Sequence, residues 1–592
     1  MLDEKNASKT KVIKIFLALF SVWGTVSVLG VRQNAVVVLC FAFFTFWAFN
    51  KYVKCPPNIK LWGNLYGIVF TMALYAGTQI DYTVMEFLPF TLKNAVQAVG
   101  LGIFICTATG VLLNFAAFAL PKRFALKAAP ALTYKTWAFY FVPVFVVFLG
   151  YLLAFYPCIY AADSVSSLRQ AMGALPLHNH HPVAFALFIR ACMLPVYRIT
   201  GSFHIAAAFF TLVQQFIMAL ILSYTLFYMR KKGVSAAVCG LGLIFYCTSP
   251  VLGVYSTVMW KDNLFSVFLL GFSLCVYEAV DTKGAFLKRP RGLVLYSGFA
   301  LLTAFFRNNG YLVIAAVTIA LAVYLYWKRA PKATLAAFAV LLIAVPVIQG
   351  PIYGALGISQ GSFAESLSIP LQQMGYTVSH GGTISQTQLE DIEKIMPIDK
   401  MAQAYRTTSS DPIKFSADFD DGYVNENKGS VLGLWARMLP RNLNLYVKAY
   451  LLQTSGFWGI QTPVYYSSDS LDGFLVGENT AALSDMWQRT LHISGRSVLD
   501  RYLQSYVDAT GISFFVRPAV CIWLALFAVA LLFVKRKGKY VLALLPLIVL
   551  WTTLMVATPV AQDMRYFFLG YLILPCIFGL FAVSGAQTEK QA

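Results

Sequence analysis

The chain has 592 residues, 58% hydrophobic, 15% aromatic and only 12% charged, with a formal charge of +20 at pH 7. A soluble protein carries about 25% charged residues, and the apolar residues here come in runs of about twenty, enough to cross a hydrocarbon core. These totals exclude a soluble globular protein and point to an all-α polytopic membrane protein; the basic excess sits in short clusters between apolar runs, which is a positive-inside pattern and not a nucleic-acid footprint.

In chain order, the basic start Met1 to Lys14 precedes an apolar run without a small-residue cleavage site, and so reads as an uncleaved first helix. Further apolar runs predict about fourteen spans, near 12–30, 34–50, 61–80, 94–120, 137–157, 203–229, 236–252, 260–280, 292–306, 308–327, 333–353, 514–534, 540–557 and 566–584. The run 183–199 is short and holds Arg190 and Pro195, so it reads as a helix at the outer surface. Charge agrees. With the amino terminus inside, the clusters around Lys54, Arg123, Lys231, Arg289, Arg329 and Arg536 all fall on the inner side, whereas a crossing at 183–199 would reverse every later one.

Both termini are then cytoplasmic and the stretch 354–513 is extracytoplasmic, a multi-pass arrangement in the cell membrane. Four regions follow: an added four-helix membrane region at 1–136, a membrane core at 137–353 with its first outer loop at 158–202, a mainly α soluble domain at 354–513, and a three-helix membrane region at 514–592. Within the soluble stretch, Thr387 to Tyr405 predicts an amphipathic helix and Leu439 to Leu452 a helix lying on a membrane surface. Gly456-Phe-Trp-Gly459, Tyr465-Tyr466 and Trp487 either stack on sugar rings or pack the domain. The ten cysteines show no C-x-x-C spacing and read as small core residues, so no metal-ligand set is assigned.

The unusual polar residues all fall on the outer side. Asp163, just beyond the 137–157 span, reads as the N-cap of a helix over Ser164–Met172, as a general base, or as the holder of a divalent cation. His178, His180 and His181 lack zinc spacing and suit hydrogen bonds to a sugar or phosphate, or a protonation switch. Lys261 beside Asp262, Arg307 and Arg565 are cations near membrane level; they either form internal ion pairs or hold a phosphate that has left bulk water. Arg169, in the first outer loop, is grouped with them as a substrate contact, and Gln372 with Gln373 is placed toward the same cavity.

A helix ending outside, then Asp163, then Gln170-Ala-Met-Gly173, a spacer, His181-Pro182 and an apolar surface helix: this order resembles the start of the GT-C superfamily of membrane glycosyltransferases, which includes protein mannosyltransferases and aminoarabinose transferases. Arg307-Asn-Asn-Gly310 and Arg565-Tyr566 are similar to corners in bacterial members of that group, and the likeness spans about residues 137–353 and 514–584. The resemblance implies a polyprenyl-phosphate-linked sugar as donor and an envelope glycan, lipid or protein as acceptor. It also implies inversion at the anomeric carbon, Asp163 as catalytic acid-base residue and Asp262 as a second catalytic acid. The sequence departs from the family pattern in its lone Asp163, where many relatives carry paired acids; Mg or Mn is the one cofactor in question. A polymerase or ligase of lipid-linked glycans shares this outward chemistry, and a flippase is the reading from another class.

Overall fold

The computed structural model describes residues 2–583 apart from 32–33, 90, 127–129, 330 and 464–512. The protein is a mostly helical, polytopic membrane protein with a large helical region outside the spans. Among the described residues, ten helices are long and apolar enough to cross a bilayer, or eleven if the bent pair Ala236–Thr248 and Pro250–Thr257 is one span. That is fewer than the fourteen runs expected. Pro290–Phe306 and Pro518–Val534 are apolar but only 17 residues long, as is Val12–Val28, the apolar part of the helix Leu2–Val28. Pro57–Thr78 is long enough, but Lys60, Asn64 and its glycines dilute it.

The bundle has two chemically distinct ends. At one, Lys232 pairs with Glu278 and Asp281, Tyr540 donates to Asp281, Lys535 reaches the carbonyls of Phe581 and Ala582, and Asn58 donates to the Val534 carbonyl. These contacts bring basic loops that are distant in sequence to a single face, as the charge pattern requires. The other end carries Asp163, Lys261, Arg307 and Arg565.

The 183–199 run forms the helix Val183–Thr200, which passes the length and composition test for a span. Its two ends nonetheless meet the same end of the bundle. It starts beside His181, which contacts Lys261 at the head of the Lys261–Asp281 helix. It finishes at the head of Phe203–Lys231, with Tyr197 on Phe203. Phe203–Lys231 and Lys261–Asp281 run the same way, because their last turns are joined through Lys232 and the two acids.

The 54° bend between Ala236–Thr248 and Pro250–Thr257 has a local cause. Pro250 lacks an N–H and pushes Ser249 into an extended conformation (ψ 112°). The carbonyls freed around the next break are satisfied from neighbouring helices. Gln214 Nε2 donates to Ser256 O (3.0 Å) and Val258 O (2.8 Å), and Asn263 Nδ2 donates to Tyr255 O (2.6 Å) and Val258 O (2.9 Å). A buried carbonyl left alone would be costly, so these amides fix the irregular segment that leads into Lys261.

Outside the spans, Ser368–Ser379 and Lys428–Thr454 pack around Leu371, Met374, Ile392, Leu434 and Tyr446. The helix expected over 387–405 is two helices, Gln386–Glu393 and Ile398–Ala404, divided where Pro397 interrupts the backbone ladder. Leu439 to Leu452 lies within Lys428–Thr454, kinked at Asn442 just after Pro440, and leaves Leu443 and Val447 exposed. Phe457 and Trp458 fill the junction with the bundle, where their carbonyls accept from Trp551 and Trp523. A Cβ on Gly456 would lie 2.2 Å from the Ala561 carbonyl, so only glycine permits this approach. Tyr465, Tyr466 and Trp487 lie outside the described residues.

The path of Val183–Thr200 gives a direct test. In a Cys40→Ser background, His180→Cys and Arg198→Cys should react with an impermeant thiol reagent from the same side of the membrane, and Lys54→Cys from the opposite side. Labelling of Arg198→Cys together with Lys54→Cys would mean that this helix crosses.

Candidate active site

Two loops that are distant in sequence are joined backbone to backbone to make the site. Ile159 pairs in parallel with Val258: Ile159 N donates to Thr257 O and Met259 N to Ile159 O, both at 3.0 Å. Ser164 Oγ then donates to Met259 O (2.8 Å) and accepts from Ala161 N (3.0 Å). This lock sets Asp163 opposite Lys261 and Asp262. The helix that follows is Ala162–Ala171, capped at Ala161, so Asp163 lies in its first turn and is not the N-cap expected from sequence. A carboxylate in a first turn is still favoured by the helix dipole.

Five charged side chains converge here. Asp163 Oδ2 accepts from Lys261 Nζ (3.1 Å) and from Arg565 Nη2. Arg565 Nε donates to Asp262 Oδ2 (2.8 Å), and Arg307 Nη1 lies 3.2 Å from Asp262 Oδ1 while donating to the Tyr566 carbonyl. Aromatic faces hold both guanidinium groups in place. Arg565 lies over Trp260 (4.5 Å) and Tyr566 (5.1 Å), and Arg307 over Phe265 (5.4 Å) and Tyr566 (5.3 Å). Gly310 makes the tight turn behind Arg307, where a Cβ would meet the Thr303 carbonyl at 2.3 Å.

The two acids differ in exposure. The side chain of Asp262 is fully buried, whereas that of Asp163 is 33% exposed. Burial alone would raise the Asp163 carboxyl, but Arg565 and Lys261 outweigh it and hold the group well below the usual carboxylate range. Burial, reinforced by Lys261, pushes the His181 imidazole down to about 3 against the pull of Asp163. His181 is therefore neutral at physiological pH, and its Nδ1 accepts from Lys261 Nζ at 3.2 Å. Three cations meet two carboxylates directly, and a third carboxylate, Asp563, accepts the Arg565 backbone N–H beside them, so the cluster is close to charge balance. A divalent cation does not fit beside Asp163: its Oδ2 is taken by two cations, and among the described residues no three His, Cys, Asp or Glu gather around a common point.

Of the residues singled out from sequence, Asp163, Asp262, Lys261, Arg307, Arg565 and His181 meet. His180 stands next to them, its ring edge-on to His181 at 4.6 Å. The His loop is held in turn by Asn308, which donates to Asn179 O, and by Asn179 N, which donates to Ser359 O. Two residues do not join. Arg169 is exposed, and Gln372 lies in the helical region outside the spans, donating to the carbonyls of Arg406 and Thr407. Sequence reasoning missed Gln214 and Gln215, which together with Asn263 brace the site from below. Their signal was present: a Gln-Gln pair inside a 29-residue apolar helix is costly unless it has partners.

Fold and site together define a polytopic helical membrane protein with a buried ionic cluster at one end of its bundle. The chain belongs to the family of unknown function DUF6020, which matches residues 172–592. Lys261, Asp262, Arg307 and Arg565 fall inside the matched region and Asp163 just before it. No curated protein and no solved structure matches the chain.

Two measurements probe the cluster. Asp262→Asn leaves two buried guanidinium groups without a full countercharge, a defect worth about 3–5 kcal/mol. It should lower the unfolding midpoint in detergent far more than Asp163→Asn, whose carboxylate is partly solvated. The pH dependence follows from His181. The unfolded imidazole binds a proton below about 6.5, but the native one does so only near 3. Stability should therefore be fully present above about 6.5 and fall as the pH drops from there toward about 3, and His181→Gln should flatten that decline.

Proposed function

We propose that this chain is a membrane glycosyltransferase that moves a sugar from a polyprenyl-phosphate donor to an envelope glycan, lipid or protein acceptor. One observation carries the reading. A partly exposed carboxylate is shared by two cations, Lys261 and Arg565, at the level where a lipid phosphate would sit. The GT-C resemblance points the same way, with fourteen crossings, cytoplasmic termini, Val183–Thr200 at the outer surface and the 354–513 region outside. In this reading the four sequence regions, divided near 136, 353 and 513, keep their roles as added helices, core, outer domain and closing spans.

The acceptor oxygen or nitrogen attacks the anomeric carbon from the face opposite the phosphate. The new bond forms as the bond from the anomeric carbon to the phosphate oxygen breaks, and that electron pair stays on the phosphate. The acceptor's proton passes to Asp163. Lys261, Arg307 and Arg565 offset the charge that builds on the leaving phosphate. Asp262 is the positioning residue for the two arginines, because it is fully buried behind them. His180 and His181 face the substrate as hydrogen-bond partners, His181 as the neutral imidazole.

A transporter is the second reading, favoured by the broken pair Ala236–Thr248 and Pro250–Thr257. Against it, the carbonyls at Ser256 and Val258 are already satisfied by Gln214 and Asn263. A glycan polymerase or ligase would use the same residues on a longer donor.

The test is transfer from a polyprenyl-phosphate-linked sugar by the full chain in membranes. Asp163→Asn should reduce the rate by about 100-fold or more, the span of general-base contributions. Transfer at near the normal rate would refute the role of Asp163. Envelope analysis of a strain lacking the protein separates the readings: a missing side-chain sugar fits the transferase, a shortened polymer the polymerase, and accumulated lipid-sugar the transporter.

A further inference from the structure

We propose that Asp163 occupies, in the resting protein, the place a phosphate takes on Lys261 and Arg565, so that phosphate binding and release of the carboxylate are one event. This rests on the preceding reading that a phosphate-bearing donor enters here. The asymmetry of the cluster is the evidence. Arg565 is fixed from behind: its Nε is held by fully buried Asp262, its backbone N–H by Asp563 Oδ1 (2.8 Å), and its plane by Trp260 and Tyr566. Lys261 is the first residue of an almost wholly buried helix and is also held by His181. Asp163 alone among the five is one-third exposed, and it sits in the first turn of a short, ten-residue helix. The cations are thus a fixed pair of donors, and the carboxylate on them is the one anion that can be displaced.

The consequence is an order of events. A carboxylate whose Oδ2 takes two cations is a poor proton acceptor. Once the phosphate takes those donors, the carboxylate loses its countercharges and gains an anionic neighbour, and both changes raise its basicity. The base is then armed only when the donor is present, and an acceptor that arrives first finds an unreactive carboxylate.

Displacement makes a prediction that simple support of the site does not. Removing the competing carboxylate should tighten phosphate binding. With the full-length protein in detergent and farnesyl phosphate as probe, Asp163→Asn should bind about tenfold tighter than wild type, the scale of one close charge pair. Asp163→Ser serves as a second variant with the same expectation, should the amide disturb folding. Equal or weaker binding by both variants overturns the displacement. The donor reading fails separately: it is overturned if wild type takes up no probe, or if Arg565→Gln leaves uptake unchanged. Inorganic phosphate in a parallel titration identifies the source. Displacement expects the same tightening with it, and a lipid donor expects the prenyl phosphate to be held more strongly.

Discussion

Arg565 is the residue on which the site depends. A guanidinium presents its N–H groups in a rigid planar fork, so one side chain can engage two carboxylates in fixed directions. Here it joins Asp163 from one outer loop to Asp262 from the next, while Trp260 and Tyr566 cover its faces. Lysine has a point charge and no plane, and could not make both contacts while packed between rings. The rest of the outer end is built to keep this arrangement in register. Ile159 is paired with Val258, Ser164 reaches Met259, and amides from two other helices hold the carbonyls that the irregular backbone sets free.

The Lys261–Asp281 helix is anchored by charge at both ends. At its head are the cluster's Lys261 and Asp262; at its tail Glu278 and Asp281 meet Lys232, with Tyr228 and Tyr540 donating to the acids. Between these anchors it is buried along nearly its whole length by apolar neighbours. Apolar packing alone is tolerant of axial sliding in a bilayer, where lipid and protein interiors are equally greasy. Ionic contacts at two levels remove that freedom, so the position of Asp262 relative to Arg565 is defined by the helix as a whole.

Much of this was legible in the chain. Apolar run length gave the helices, and the basic clusters, which the structure brings to one end, gave their common side. The acids and cations that meet were recognisable one by one, because a charge near membrane level is costly without a partner. What a single sequence could not supply was pairing across hundreds of residues. Arg565 bonds to Asp163 some four hundred positions away, and no local pattern encodes that contact. Short-range rules also misplaced details. Asp163 looked like a cap because Asp often is one, but the helix begins earlier and Ser164 takes the hydrogen bond from Ala161. Gln372 looked like a cavity residue because it follows a span, yet the fold turns it toward Arg406 and Thr407.

The cluster is completed by the Met564–Phe581 segment, which supplies Arg565 and follows in sequence the helices that carry the other four members. A chain is made and inserted from its amino end, so Asp163, Lys261, Asp262 and Arg307 are in the bilayer before their central partner exists. The growing protein thus carries this pair of acids without the guanidinium that joins them, and its ionic cluster is incomplete until the Met564–Phe581 segment is in place. A copy that lacks the Met564–Phe581 segment is therefore one whose ionic centre was never assembled, because a single residue of that segment bonds to both acids.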